Sequence, residues 1–271
     1  MVHTTNRVGE AHDVKRFYDA LAPDYDLMTS FEKRFVQERP FFHMLVEKYR
    51  IQSALDAGCG TGFHSLLLAE LGVKVTAVDL SPRMIASVRE HAGLLGLSVR
   101  TFASSFENLP NSFCGAFDAV FSLGNSLAHS SSNEQLLKSL KSFARVLRPG
   151  GMVFLQNLNY DRILAHREKV QSVKEAGIKT FVRYYDYDEE GVIFNILTIE
   201  KTHDGILQNH RTIRLLPLLQ RDLVAALESA AFTDVQMFGG ISMNEFVPGD
   251  SKDLVILARR GRNSGKRGEG M

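Results

Sequence analysis

From Ala54 to Asn157 the sequence alternates short apolar runs with amphipathic stretches of helical period, and few architectures accept that alternation. The run ALDAG reads as a strand and HSLLLAELG as a helix. VKVTAVDLS and PRMIASVREHAGLLG repeat the pair, with Ser81 placed as helix N-cap and Pro82 in the first helical position. SVRTFAS, FDAVFSLGN, the helix NEQLLKSLKSFARVL, the turn RPGG and the strand MVFLQNLN continue the series. Strands joined by helices over short connections predict a doubly wound α/β fold, a parallel sheet with helices on both faces. Ligands of such sheets sit at the carboxyl ends of the strands, which here are Asp56 to Gly62, Asp79, Ala103 to Phe106, Leu123 to Asn125 and Asn157 to Tyr160.

The flanks differ in pattern. VKRFYDALAPDYDLM has helical spacing that Pro23 interrupts, and FEKRFVQERPFFHMLVEKY reads as a further N-terminal helix. From Thr180, strand-like runs separated by DEEG and HDG predict a three-stranded antiparallel insertion within about 175–217. LLQRDLVAALESAAF, TDVQMFGG and DLVILARR then resume the helix and strand alternation. A single domain over 16–260 is expected between a flexible stretch at 1–15 and a Gly- and Arg-rich disordered tail at 261–271.

Composition narrows the partners. A net charge of +1 offers no basic excess for nucleic acid or an anionic membrane surface, so small-molecule chemistry is expected. No apolar run reaches the roughly 18 residues of a membrane span, and the N-terminus lacks a signal-peptide core; a cytoplasmic location is expected. The two cysteines, Cys59 and Cys114, do not stand at metal-ligand spacing, and neither zinc nor a disulfide framework is expected.

The loop GCGTG decides what kind of ligand the first strand meets. Its glycines fall at 58, 60 and 62, whereas the dinucleotide fingerprint is G-x-G-x-x-G, and Phe63 occupies the position required there. No Gly-Lys-Ser/Thr follows, so it is not a P-loop. Asp79 ends the next strand 21 residues after Gly58, where a carboxylate can accept both hydroxyls of a ribose. An adenosine-containing ligand fits this pair.

With LDAGCGTG, AVDLSPRM, FDAVFSLGN and LRPGG in this order, the chain from about Arg16 to Arg260 resembles the class I S-adenosylmethionine-dependent methyltransferases. The resemblance implies a Rossmann-like seven-stranded sheet, mostly parallel with its last strand antiparallel, TDVQMFGG and DLVILARR being strands six and seven. It also implies S-adenosyl-L-methionine as the cofactor. Gly58, Cys59, Gly60 and Gly62 would then face its methionine part, Asp56 would support the loop and Asp79 would hold the ribose. Leu80 and Met84 would lie against adenine, framed by Ser104, Ser105 and Phe106. Many members carry an Asp where Ser104 stands.

LGNSLAH (Leu123 to His129), NYDRIL (Asn159 to Leu164) and the pair Tyr184 and Tyr185 resemble the glycine and sarcosine N-methyltransferases in particular. That likeness places Arg34 where those enzymes keep the arginine for the cofactor carboxylate, a bidentate grip that suits guanidinium. It also exposes a departure: the relatives read HRNYD and bind the substrate carboxylate with that arginine, whereas this chain reads NLNYD, with Leu158 in its place. Tyrosines of the relatives' site correspond to the neighbourhood of His210 and to Leu215 and Leu216. Glycine is therefore a doubtful acceptor. Arg183, Arg211 or Arg214 of the insertion could supply a replacement cation.

Methyl transfer from a sulfonium needs an aligned lone pair and exclusion of water. Asn125 is the first candidate to orient the acceptor, helped by the backbone oxygens of Leu123 or Gly124. Tyr25, Tyr160 and Tyr185 either wall the site beside the cationic donor or pack as ordinary tyrosines. His129 is either a base for an O-linked acceptor or a structural loop contact. Three functions follow: N-methylation of a small molecule, O-methylation of a metabolite, or S-adenosylmethionine binding without catalysis. A homo-oligomer is compatible with the sequence but nothing in it points to one.

Overall fold

The computed structural model describes residues 11–189 and 191–261. Most of the expected flexible N-terminus and disordered tail, 1–10 and 262–271, lies outside the described residues. Residues 11–15, expected to be flexible, already belong to helix α1 (Ala11–Thr29), which α2 (Phe31–Tyr49) follows. Five alternating strands come next: β1 (Ser53–Ala57), β2 (Lys74–Asp79), β3 (Val99–Ala103), β4 (Phe117–Ser122) and β5 (Leu147–Leu158). Helices α3 (Phe63–Glu70), α4 (Pro82–Leu94) and α5 (Asn133–Val146) lie among them, and α6 (Tyr160–His166) follows β5. The RPGG segment, expected as a separate turn, is the bent first part of β5, and the pairing with β4 shifts register beside it.

The inserted sheet has four strands, not three: β6 (Val170–Ala176), β7 (Lys179–Asp188), β8 (Gly191–Thr202) and β9 (Gly205–Leu215), hydrogen-bonded in that order. β6, VQSVKEA, lies at the sheet edge and buries no residue fully. Its side chains therefore carry no clear apolar alternation for sequence to show. The chain closes with α7 (Gln220–Ser229), β10 (Phe232–Phe238) and β11 (Asp253–Arg260).

The main sheet has seven strands in the order β10-β11-β5-β4-β1-β2-β3. β11 is antiparallel to both its neighbours, as the resemblance implied. Alternate residues divide between two cores. Leu55, Val120, Val153 and Ile256 face one, with α1, α5, α7 and the inner side of the inserted sheet. Ala54, Ala119, Phe121, Phe154 and Leu257 face the other, with α2 and α3. Burial on both sides explains why these strands read as continuous apolar runs.

Pro23 does not end α1. A proline inside a helix removes the N–H that the carbonyl four residues earlier would accept. That carbonyl, of Asp19, instead accepts from Arg83 Nη1 at 3.2 Å, and the next one, of Ala20, from Arg211 Nη2 at 3.1 Å. Ser81 does cap α4, its hydroxyl accepting from Met84 N.

Candidate functional site

The strand order turns back between β1 and β4, so the crevice of the sheet opens there, over the loop after β1. Gly58 N and Cys59 N donate to Val78 O at 2.8 and 3.1 Å, tying this loop to the end of β2. Gly58 and Gly62 hold φ of 80° and 97°, backbone conformations that disfavour any side chain. A Cβ on Gly58 would fall 2.5 Å from Ser126 Oγ, and one on Gly62 3.0 Å from Val88. Beneath the loop, Asp56 accepts from Ser65 Oγ at 2.6 Å, and burial raises its pKa.

Asp79 spends one lone pair of each oxygen on the backbone, accepting from Gly60 N and Ser81 N at 2.9 Å each. The remaining lone pairs are available to a diol. Burial pushes this carboxylate up to about 6, against the opposing effect of those two hydrogen bonds.

Two clefts meet at this edge. The first is lined by Gly58, Cys59, Gly60, Asp79, Leu80, Ser104, Ser105, Phe106 and Leu123 and holds about 1060 Å³ of space, part of it open to solvent. The second, under the inserted sheet, is lined by Asn125, Leu158, Arg183, Phe194, Ile196 and Asp253 among others. Tyr18, Tyr25, Thr29, Arg34, Gly124 and His129 line both and form the wall between them.

Most of the residues expected to hold a cofactor therefore converge on the first cleft. Gly62 instead packs on Val88 at the start of α3, and Asp56 lies behind the loop. Met84, expected against adenine, is fully buried and lines neither cleft, because its position on α4 turns inward. Ser104 Oγ donates to Asn108 O at 3.0 Å, which turns its proton toward the backbone of its own loop. Arg34 Nε donates to Glu38 Oε1 at 2.7 Å, and its guanidinium stacks 4.2 Å from the centre of the Phe63 ring.

On the second cleft Asn125 is a clamp. Its Nδ2 donates to Tyr160 Oη at 2.9 Å, its Oδ1 accepts from Leu158 N at 3.1 Å, and its backbone N donates to Gln156 O. It still offers one N–H and one lone pair. Tyr160 and Tyr185 are buried beside the clefts and line neither, so both are packing residues here. Burial raises both hydroxyls above the ordinary phenol range. Arg214 does not reach the cleft: its guanidinium forms a bidentate pair with Asp188. Arg183 lines the cleft from the same sheet.

His129 Nε2 lies 2.7 Å from Tyr18 Oη, and burial pushes the imidazole down to about 4. At neutral pH it is therefore uncharged. Sequence reasoning missed Tyr18, Glu38, Lys174 and Asp253 as cleft residues. Only Glu38 left a trace, standing four residues after Arg34 at the spacing of a helical ion pair.

The comparisons with known proteins agree with this geometry. A protein-family profile described as "Methyltransferase domain" matches residues 54–151. The chain is 33% identical over 155 residues to glycine/sarcosine N-methyltransferase of Halorhodospira halochloris, covering 57% of this chain and 58% of that protein. It is also 37% identical over 105 residues to ubiquinone biosynthesis O-methyltransferase of Xanthomonas axonopodis pv. citri (strain 306), covering 39% and 42%. The chain thus matches under two thirds of the length of these curated relatives. An S-adenosylmethionine-dependent methyltransferase from Clostridium acetobutylicum ATCC 824 superposes with a TM-score of 0.77 at 16% identity, over 90% of this chain and 99% of that one.

By its sheet order, the loop after β1, Asp79 at the end of β2 and these likenesses, the chain is similar to the class I S-adenosylmethionine-dependent methyltransferases. Its curated likenesses include glycine/sarcosine N-methyltransferases, of whose length it covers 58% or less. Among the described residues no helix is long and apolar enough to cross a membrane.

Proposed function

We propose that the protein transfers a methyl group from S-adenosyl-L-methionine to the amine nitrogen of a small molecule. The observation that carries this reading is the pair of clefts with a common wall of Tyr18, Tyr25, Gly124 and His129. A donor in one and an acceptor in the other would face each other across it. The first cleft fits the donor: it has a glycine cradle that a Cβ would obstruct, an acid with lone pairs for the ribose, and Arg34 for the carboxylate.

When bound, the cofactor supplies an electrophilic methyl group on a sulfonium. The chain's own part is alignment and exclusion of water. Asn125, fixed by Tyr160 and the Leu158 backbone, presents its remaining N–H and lone pair to the acceptor. Tyr18 and Tyr25, which line both clefts, would offer phenol rings and hydroxyls to a cationic donor bound there. Neutral His129 holds Tyr18 without adding a like charge. An amine that enters neutral needs no strong base.

Leu158 takes the place of the carboxylate-binding arginine that the sequence likeness predicts, so the end of β5 no longer offers glycine that charge-assisted contact, one of about 1.5–3 kcal/mol or at least tenfold in affinity. Labelled S-adenosylmethionine incubated with fractionated metabolites, with mass identification of the product, tests the reading; an N-methyl product is expected. Products that are only methyl ethers or esters would overturn it. They would favour metabolite O-methylation, a second reading supported by the O-methyltransferase likeness and by an imidazole placed in both clefts. In that case His129→Ala abolishes turnover.

A further inference from the structure

Phe181, Arg183 and Tyr185 occupy alternate positions of β7 and so share one face of the inserted sheet. Phe181 and Tyr185 are fully buried, and Arg183's partner across the sheet is buried Ile196. A guanidinium in such an apolar row is partly stripped of water, and burial lowers its pKa. A desolvated charge persists where an opposite charge meets it. Yet among the described residues no carboxylate pairs with Arg183, whose Nε donates at 2.7 Å to the neutral hydroxyl of Ser172.

The neighbours increase the imbalance. Arg34 and Lys174 line the same cleft, and their charges act on Arg183. Two acids face these three cations. Glu38 is spent on Arg34, and Asp253 lies against Gln156. The other two arginines of the sheet are engaged elsewhere, Arg214 with Asp188 and Arg211 with the carbonyl of Ala20. If Arg34 takes the carboxylate of the donor, one partly buried guanidinium remains for a second anion, and its fork matches two oxygens of an oxyanion.

We propose that Arg183 is the anion subsite for the methyl acceptor, so that the acceptor is an amine carrying a carboxylate or a phosphate, gripped from the inserted sheet rather than from the end of β5. This rests on the methyl-transfer reading above. It accounts for Leu158: with the cation on β7, the end of β5 is free to be apolar.

The test compares amines that differ only in the anion: β-alanine against β-alaninamide, and O-phosphoethanolamine against ethanolamine. The acidic member of one pair is expected to show a kcat/KM at least about tenfold higher, and the responding pair identifies the oxyanion. Arg183→Gln should erase that preference through KM, and Arg183→Lys should restore part of it. Calorimetric binding of S-adenosylhomocysteine verifies that both variants are folded. Equal use of the neutral member, or a preference that survives Arg183→Gln, overturns the subsite. A second arm does not depend on turnover: inorganic phosphate or acetate should raise the melting temperature of the native protein and not of Arg183→Gln, and an equal response in both overturns the subsite. If that protection depends on Arg183 while the labelled donor yields only methyl ethers or esters across fractionated metabolites, the subsite stands and the amine reading falls.

Discussion

Asp79 couples the site to pH because its two demands conflict. Burial raises its folded-state pKa from 3.8 to about 6, so folding takes up a proton between those values and the free protein loses stability as pH rises through them. A ribose diol bound at Asp79, as the proposed donor site has it, would donate to the carboxylate and favour its ionised form. Affinity for S-adenosylhomocysteine should therefore be full above about pH 7 and fall by up to about tenfold per pH unit below about 6. Titration calorimetry between about pH 5 and 8 checks this, and Asp79→Asn should bind at least about tenfold more weakly with the pH dependence gone. Asp56, whose pKa burial also raises, lines neither cleft. A dependence unchanged in Asp79→Asn would therefore move the proton from Asp79 to its neighbour.

Helix α1 shows how a local rule yields to tertiary contacts. Proline costs about 3 kcal/mol in a helix interior, yet α1 continues through Pro23 because basic residues from outside take its carbonyls. The inserted sheet grips the same helix further along: Lys179 Nζ lies 2.6 Å from Asp24 Oδ1, and Lys174 Nζ donates to Leu27 O. These contacts fix the turn between α1 and α2 that sets Tyr25 and Arg34 in the wall of both clefts. Lys179→Met should cost about 1 kcal/mol in urea denaturation and raise the KM for the donor more than it lowers kcat. A donor KM equal to the native value would show that α1 keeps its place without the clamp. The glycine loop, Asp79 at the end of its strand and the Ser81 cap were legible because each is fixed by residues close in sequence. The continuity of α1, the edge strand β6 and the cleft roles of Tyr18 and Asp253 depend on partners far along the chain. Local period carries no trace of those. Arg34 and Glu38, four residues apart on α2, lie between the two cases: their spacing is that of a helical ion pair, but nothing local places Glu38 on the second cleft.

At the scale of the molecule, the inserted sheet resembles a separable module but does not own a core. Its outer face is exposed along most of β9, so its stability comes from the inner face. That face, through Phe181, Tyr185, Ile196 and Ile213, belongs to one cluster with Val14, Phe17 and Leu21 of α1 and with Leu223 and Leu227 of α7. Leu216 N also donates to Ala128 O at 2.8 Å, joining the end of the insertion to the turn that carries His129. A four-stranded sheet that buries its single apolar face against the main domain should unfold with it as one unit. The chain has no tryptophan, so Phe194→Trp on β8, packed against Tyr185, places a single fluorophore in the insertion. Its fluorescence and far-ultraviolet circular dichroism, dominated by the helices, should trace the same urea transition. S-adenosylhomocysteine at about one hundred times its Kd should shift both by about 2.7 kcal/mol. An earlier fluorescence midpoint that the ligand leaves unmoved would mean that the sheet opens by itself. The acceptor cleft would then form and dissolve independently of the donor site.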